Sequence, residues 1–287
     1  MATAPPTIGQ RIDSQYAALS PQEQRAADVI LDHLGDLAVY SATELAKMSG
    51  VSKATVSRLF RRLGFSDSAE VREHARALRS QGAPLGGVGA AAGTPSALAA
   101  HASHETENLQ KMLAGLDDGR LDAAARLIAG AGEVVLVGLR NSYPLALHLR
   151  QQLAQARGRV RLAPVPGQSL GEDLAGLGSR DVVVLVGFRR RPSGFALIMQ
   201  ALQERGVPVI LISDSSARRY AEGCVQWLEC PVDSVSAFDS YAAAMSLMNL
   251  LASGVLGVNV RDGRTRIATI TSVYDALDEL ETPTSFY

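Results

Sequence analysis

Aromatic residues are scarce in this chain: Phe, Trp and Tyr make up 5% of its 287 residues. Aliphatic side chains must therefore fill its cores, and the 47% hydrophobic content is enough for ordinary globular domains. Cysteine is scarcer still. Only Cys224 and Cys230 are present, with no His near them in sequence. That excludes a zinc pattern and a CxxC redox motif, and both thiols read as core or strand residues. No uninterrupted apolar run reaches the roughly 18 residues of a membrane span. The longest candidate, residues 241–260, is broken by Ser, Gly and Asn and reads as a buried helix. The opening residues, MATAPPTIGQRIDSQ, lack the apolar stretch of a signal peptide, so a soluble cytoplasmic protein with no membrane partner is expected. Neither sign of charge dominates, with 28 Lys and Arg against 29 Asp and Glu. Without a global basic field, any nucleic-acid site must be a local patch. GxxxxGK[ST] and GxGxxG are both missing, which removes the P-loop and the dinucleotide fingerprint. No cofactor or metal is expected, and His101 and His104 read as solvated helix residues.

Residues 82–95, GAPLGGVGAAAGTP, are nearly all Gly, Ala and Pro. This is a linker composition. It separates an expected domain over 1–81 from a second over 96–287.

The first domain reads as short helices with clear start signals. Ser20-Pro21-Gln22-Glu23 offers an N-cap, Pro at the first helical position and a capping-box Glu. Gly35 is the expected stop. Ser41–Glu44 is a second capping box, opening a helix over 42–48. Ser52 caps a helix over 53–63, and Gly64 supplies a left-handed end. A fourth helix is expected from 66 or 67 to 79. Two short helices joined by a tight Gly-containing turn describe a helix-turn-helix. In the second, Val56, Leu59, Phe60 and Leu63 form one apolar stripe, to pack with Leu45, Ala46 and Val51. Lys53, Thr55, Ser57, Arg58, Arg61 and Arg62 are read as the opposite, acid-free face. Such a rod, about 16 Å long, suits a DNA major groove about 12 Å wide. Lys53, Thr55, Ser57 and Arg58 are the candidate base or near-base contacts. Thr43, Ser52, Arg61 and Arg62 are the candidate phosphate contacts.

From residue 121 onward, helices alternate with Val-, Leu- and Ile-rich segments. Strands are expected at 133–138, 159–163, 181–187, 207–213 and 225–230. Helices are expected at 121–129, 142–157, 170–177, 193–205 and 238–258. This pattern predicts a mainly parallel five-stranded sheet covered on both faces, a three-layer α/β/α domain. Ligands bind such sheets at the carboxyl ends of strands, near a switch point in strand order. Three strand ends stand out: residues 138–142, 187–193 and 212–216. The second runs VGFRRRPSG, a core strand breaking into three arginines.

The segments LSPQEQRAADVILDHL and SATELAKMSGVSKATVSRLFRRLGF, followed by a linker and this sheet, resemble the RpiR/MurR family of bacterial transcription regulators. The resemblance covers about 20–65 and 130–257. It implies an N-terminal helix-turn-helix and a C-terminal SIS (sugar isomerase) domain that binds a phosphosugar or related metabolite and forms dimers or larger oligomers. It also implies a first SIS loop of G-x-G-x-S type, which Gly138 and Ser142 fit, with Arg140 where a small residue is expected and Asn141 between. The family's second loop is Ser-x-Ser-Gly-x-Thr. Here Gly187 and Arg189 take the serine places, Arg190 the glycine place and Pro192 the threonine place. Arg191 and Ser193 complete that loop. Asp239 and Ser240, which open the last expected helix, are implied as ligand-facing, though Asp239 also reads as a plain N-cap.

Guanidinium groups in place of hydroxyls point to a small anionic effector held by bidentate hydrogen bonds. Arg189 and Arg191 are the expected ligand groups, with Arg140 opposite. Bound effector would bias oligomer geometry and so promoter occupancy. The partners expected are double-stranded operator DNA, a small anionic metabolite and further copies of the chain, as a homodimer or homotetramer. Two other readings stand beside this one. In the first the SIS domain is only an oligomerisation scaffold. The second, a phosphosugar isomerase, needs a positioned base, and neither His148 nor Glu172 belongs to a recognisable constellation. The expected protein is not an enzyme.

Overall fold

The computed structural model describes residues 6–34, 37, 40–80, 95–116, 118–235 and 238–280. The chain divides into two compact units. One ends at Glu107 and is joined by Asp233–Ser240, and the other begins at Asn108. The expected linker lies outside the described residues except for Pro95, as does the expected helix stop Gly35.

The first unit opens with five helices, α1 (Ile8–Gln15), α2 (Pro21–Asp32), α3 (Ala42–Ser49), α4 (Lys53–Arg62) and α5 (Ser68–Ser80). Helices α2 and α3 begin as expected. Ser20 and Ser41 each accept from the backbone of the third helical residue, and Glu23 and Glu44 reach back to the cap. The backbone N–H of Ser20 also holds the Glu23 carboxyl below its ordinary pKa. The sequence reading passed over α1, although Thr7 and Gln10 make a third capping box. Its Ile8 and Ile12 are buried with Ile30, Leu45, Val56, Leu59 and Phe60 in one core. Arg11 of α1 bonds the Leu63 carbonyl at 2.9 Å and lies over the Phe65 ring. A cation at the carbonyl end of α4 suits the helix dipole.

The second unit holds a five-stranded sheet in the order β2-β1-β3-β4-β5, every pair parallel. The strands are β1 (Val134–Gly138), β2 (Val160–Ala163), β3 (Val182–Val186), β4 (Val209–Ser213) and β5 (Gln226–Glu229). All five residues of β1, β3 and β4 are buried, as strands covered on both faces should be. Alternate residues feed two cores. Val134, Leu136, Val184 and Ile210 share one with the aliphatic faces of α7 (Asp118–Gly130), α8 (Ser142–Ala156) and α11 (Ala242–Val258). Val135, Val137, Leu185 and Leu211 share the other with α9 (Leu170–Leu174), α10 (Phe195–Glu204) and the 3-10 segment Ser215–Gly223. This is the expected three-layer arrangement. Helix α6 (Pro95–Gly115) contributes Met112 to the first core.

Two boundaries differ from the sequence reading. Helix α11 begins at Ala242 rather than 238, with Tyr241 at its N-cap and no capping side chain. Asp239 therefore does not cap it. A further helix, α12 (Val260–Leu277), follows α11 at 108° and had not been expected. No single helix among the described residues is long and apolar enough to cross a membrane.

Candidate DNA interface and candidate anion site

The turn between α3 and α4 is built as its residues demand. Gly50 adopts φ +63°, the left-handed conformation that glycine tolerates, and Val51 donates back to the Ala46 carbonyl at 3.0 Å. Ser52 then caps α4, its hydroxyl accepting from the Thr55 N–H at 3.1 Å. Val56, Leu59, Phe60 and Leu63 are all at most 2% exposed. Burying this stripe fixes which side of α4 faces outward.

That side carries Lys53, Ala54, Arg58, Arg61 and Arg62, all exposed, with Ser57 half-exposed; Ser52 and Thr43 are exposed beside it. Lys53 and Arg61 have no ion pair or side-chain hydrogen bond among the described residues. Thr55 is the correction. It is 2% exposed, with its hydroxyl 2.9 Å from that of Ser52 and 3.4 Å from Gln22. At 3.6 residues per turn Thr55 lies about 200° round from Lys53. It sits with the core stripe, and Ala54 takes the outward place. Arg62 is partly committed to its own domain, donating to the Ala18 carbonyl at 2.8 Å and pairing with Glu23 at 3.4 Å. Sequence reading also omitted Lys47, exposed on α3. Its place near the end of the first helix of the pair was the available signal.

The second site lies where the strand order reverses, between β1 and β3. Two glycines let the loops come close. A Cβ on Gly138 would sit 2.4 Å from the Ser142 carbonyl, and one on Gly187 would sit 2.4 Å from the Phe195 ring. The loops after the two strands are stitched together. The Phe188 N–H donates to the Ser142 hydroxyl at 3.2 Å, and Arg140 donates to the Arg190 carbonyl at 3.2 Å. Arg140 and Arg190 have φ +54° and +67°. Both residues therefore occupy left-handed conformations costing about 1–2 kcal/mol each without glycine. Arg140, Asn141, Ser142, Arg189 and Arg190, with Leu139 and Phe188, line a cavity of about 10 Å³. That is room for about one water.

Arg191 does not face this cavity. Its side chain is 10% exposed and folds back on its own loop. It donates to the Gly187 carbonyl at 2.7 Å, to Asp214 at 3.2 Å and to the Ser216 hydroxyl at 2.8 Å. Asp214 also accepts from the Arg189 N–H at 2.8 Å. In this structure a buried carboxylate one strand away holds Arg191, the residue expected to meet an effector. Asp214 had been passed over as a site residue, and its place at the end of β4 was the signal. The Arg189 guanidinium reaches the Val232 carbonyl at 3.4 Å. Ser193 is exposed beyond the loop. Asp239 and Ser240 are half-buried and belong to the first unit. Burial, with Asp214 nearby, pushes the Cys230 thiol up to about 12, so it stays protonated.

Comparison with known proteins follows the same division. The helix-turn-helix domain of the rpiR family matches residues 7–74, and the SIS domain matches 127–254. The chain belongs to the RpiR family. Among solved structures, it resembles the sugar isomerase domain of an RpiR transcription factor from Sphaerobacter thermophilus. Identity there is 23% and the TM-score 0.56, over 60% of this chain and 96% of that one. It also resembles the Vibrio vulnificus NanR protein complexed with ManNAc-6P, at 18% identity and TM-score 0.55, over 94% and 99% of the two chains. At these identities the likeness speaks for the fold. No curated protein matches the chain.

Proposed function

We propose that this RpiR-type protein regulates transcription by docking α4 in the major groove of operator DNA, under control of a small anionic metabolite at the β1–β3 switch point. The observation that carries the reading is the outward face of α4. Lys53, Arg58 and Arg61 stand exposed on a capped helix that contains no acidic residue. Basic side chains left open on a rigid helix release counterions from phosphates at small conformational cost. Ser57 and Ala54 lie on the same side, close enough to read base edges. A homodimer or homotetramer in the cytoplasm would set two such helices at half-site spacing on a palindromic operator.

The anion site fits the same reading. Its two strained residues, Arg140 and Arg190, sit on the loops that a ligand would separate. Breaking their mutual hydrogen bond opens the cavity and presents guanidinium groups in the bidentate geometry that carboxylates and phosphates prefer. No Asp, Glu or His lines the cavity to act as a general base, which favours binding over isomerisation. The scaffold reading is favoured by the cavity's small volume and by the Arg191–Asp214 pair, which spends one arginine within the protein.

The test is titration of the full-length chain with duplex from its own upstream region at several salt concentrations. The expected result is a dissociation constant that rises steeply with salt, and a slope about one unit shallower in each of Lys53→Ala and Arg58→Ala. Salt-independent binding, or variants indistinguishable from the parent, would remove the DNA reading. Thermal-shift titration with ManNAc-6P, sugar acids and small carboxylates separates sensor from scaffold. An effector at 100 times its Kd should stabilise by about 2.7 kcal/mol, and a flat response to every compound selects the scaffold.

A further inference from the structure

We propose that a groove at the amino ends of the strands is a second anion site, holding a small molecule that carries two or more phosphoryl groups. The groove runs across the starts of β2, β1, β3 and β4, at the opposite end of the sheet from the switch-point loops. Along β1 the two sites are about 13 Å apart. The groove has a volume of about 950 Å³, against about 10 Å³ at the switch point. That is ample for a small molecule. Glycines keep its wall open, since a Cβ on Gly130 or Gly176 would meet nothing within 4 Å. Arg126, Arg159 and Arg180 line it, all exposed, together with Glu133 and Asp181.

Two of these arginines are left over once the charges are paired off. Arg126 is held by Asp122 at 2.7 Å. The Glu133 carboxylate accepts from Arg161 at 2.5 Å. Asp181 accepts from the N–H groups of Glu133 and Gly178 at 2.9 and 3.0 Å. Both acids are thus spent inside the fold. Arg159 and Arg180 make no side-chain hydrogen bond or ion pair among the described residues. The carbonyl end of α7 reaches the groove at Gly130, and its partial negative charge would repel an anion. Arg157 removes that obstacle by donating to the Ile128 carbonyl and, at 2.8 Å, to the Ala131 carbonyl. Burial, and then the like charge of Arg159, push Arg157 below the ordinary arginine value. An anion beside Arg159 would relieve that repulsion. The starts of β2 and β3 flank β1, so Arg159 and Arg180 stem from backbone positions about 10 Å apart. One phosphoryl group for each guanidinium, in bidentate geometry, calls for a ligand with at least two. No aromatic residue among the described residues lines the groove to stack a base, so the phosphates carry the recognition.

Isothermal titration calorimetry of the full-length chain with inorganic tripolyphosphate tests this, with orthophosphate as the single-group comparison. Tripolyphosphate should bind about tenfold or more tightly than orthophosphate. Arg180→Ala and Arg159→Gly should each weaken tripolyphosphate about tenfold, and the two together about a hundredfold. Arg159 holds φ +55°, which glycine adopts freely, so Arg159→Gly should fold and melt near the parent. Loss of binding in that variant is then loss of the guanidinium. The basic face of α4 offers polyphosphate another home, so the titration is repeated in Lys53→Ala with Arg58→Ala, where the affinity should persist. Arg140→Ala, at the switch point, should leave it unchanged as well. A parent that binds no tripolyphosphate, or binds it no better than orthophosphate, would overturn the proposal. So would affinity that survives the loss of Arg159 and Arg180, or that vanishes with the α4 or Arg140 substitutions. The DNA titration reads α4 alone, so the two readings fail separately.

Discussion

The outward face of α4 and the loops at the switch point carry the same residue type and use it in opposite ways. On α4, Arg58 and Arg61 are exposed, and Arg61 makes no ion pair among the described residues. In the loops, Arg191 is nine-tenths buried against Asp214, and Arg140 and Arg189 donate to carbonyls of their own domain. The difference follows from what lies underneath. Helix α4 buries a full apolar stripe, so its polar side has only solvent to meet. The β3 loop runs beside the end of β4, where a carboxylate and two hydroxyl-bearing residues stand within reach. An arginine is free for a ligand only where the fold supplies no acceptor first.

Breaking the buried pair should have the largest effect. Arg191→Ala leaves the Asp214 carboxylate buried without its cation, a loss of about 3–5 kcal/mol. For a domain of this size the melting temperature should drop by about 10 °C, read by calorimetry. If the variant melts with the parent, Arg191 is as dispensable as a surface arginine and the contrast with α4 disappears. The opposite substitution sharpens the comparison. Arg58→Ala should leave melting unchanged within about 0.5 kcal/mol. It should weaken operator binding by about 1–3 kcal/mol, measured by fluorescence anisotropy at fixed salt.

The sequence made the frame legible because periodicity and capping are local. Ser20, Ser41 and Ser52 start the helices read from them, and the five strands lie within the expected spans. What it did not show depends on direction. Thr55 was read outward because alternate residues look alike in a list, while the helix turns it inward. Arg191 was read toward a ligand because its acceptor, Asp214, lies 23 residues away in sequence and next door across the sheet. The small volume of the pocket was equally invisible, since the loops lining it are joined by hydrogen bonds between residues 46 and 50 apart in sequence. Helix α12 escaped notice because its composition is mixed.

A smaller effect concerns the strained loop. Arg190 holds φ +67° at the place where the resemblance implied a glycine. Arg190→Gly relieves that strain, against the extra freedom glycine gives the unfolded chain. The net gain should be about 1 kcal/mol or less, seen as a rise of a few degrees in melting temperature. The same substitution removes a guanidinium from the cavity wall and should weaken any anionic effector that the parent binds. A variant that is more stable and binds equally well would keep the strain at Arg190 and remove its guanidinium as a ligand group.

The smallest effect is a pH dependence in the first unit, where no arginine among the described residues is buried against a carboxylate partner. His74 on α5 packs against the Phe65 ring, with centroids 5.2 Å apart, and its Nε2 atom is buried without a partner. Burial, reinforced by the positive charge of Arg11 and opposed by Glu70, lowers its pKa. The folded domain therefore resists a proton that the unfolded chain accepts near pH 6.5. Stability from this source is complete above that pH and declines as pH falls through it toward the folded-state value. The capping carboxylates Glu23, Glu44, Asp67 and Glu70 have lowered values too, each because it accepts backbone hydrogen bonds. Their contribution is lost only in more acid solution, so the two windows separate. Hydrogen exchange across α4 and α5 between pH 7.5 and 5.5 should show protection falling with pH in the parent. His74→Phe keeps the ring against Phe65 and should flatten that dependence. A slope that persists in the variant would place its origin elsewhere and leave His74 a packing residue.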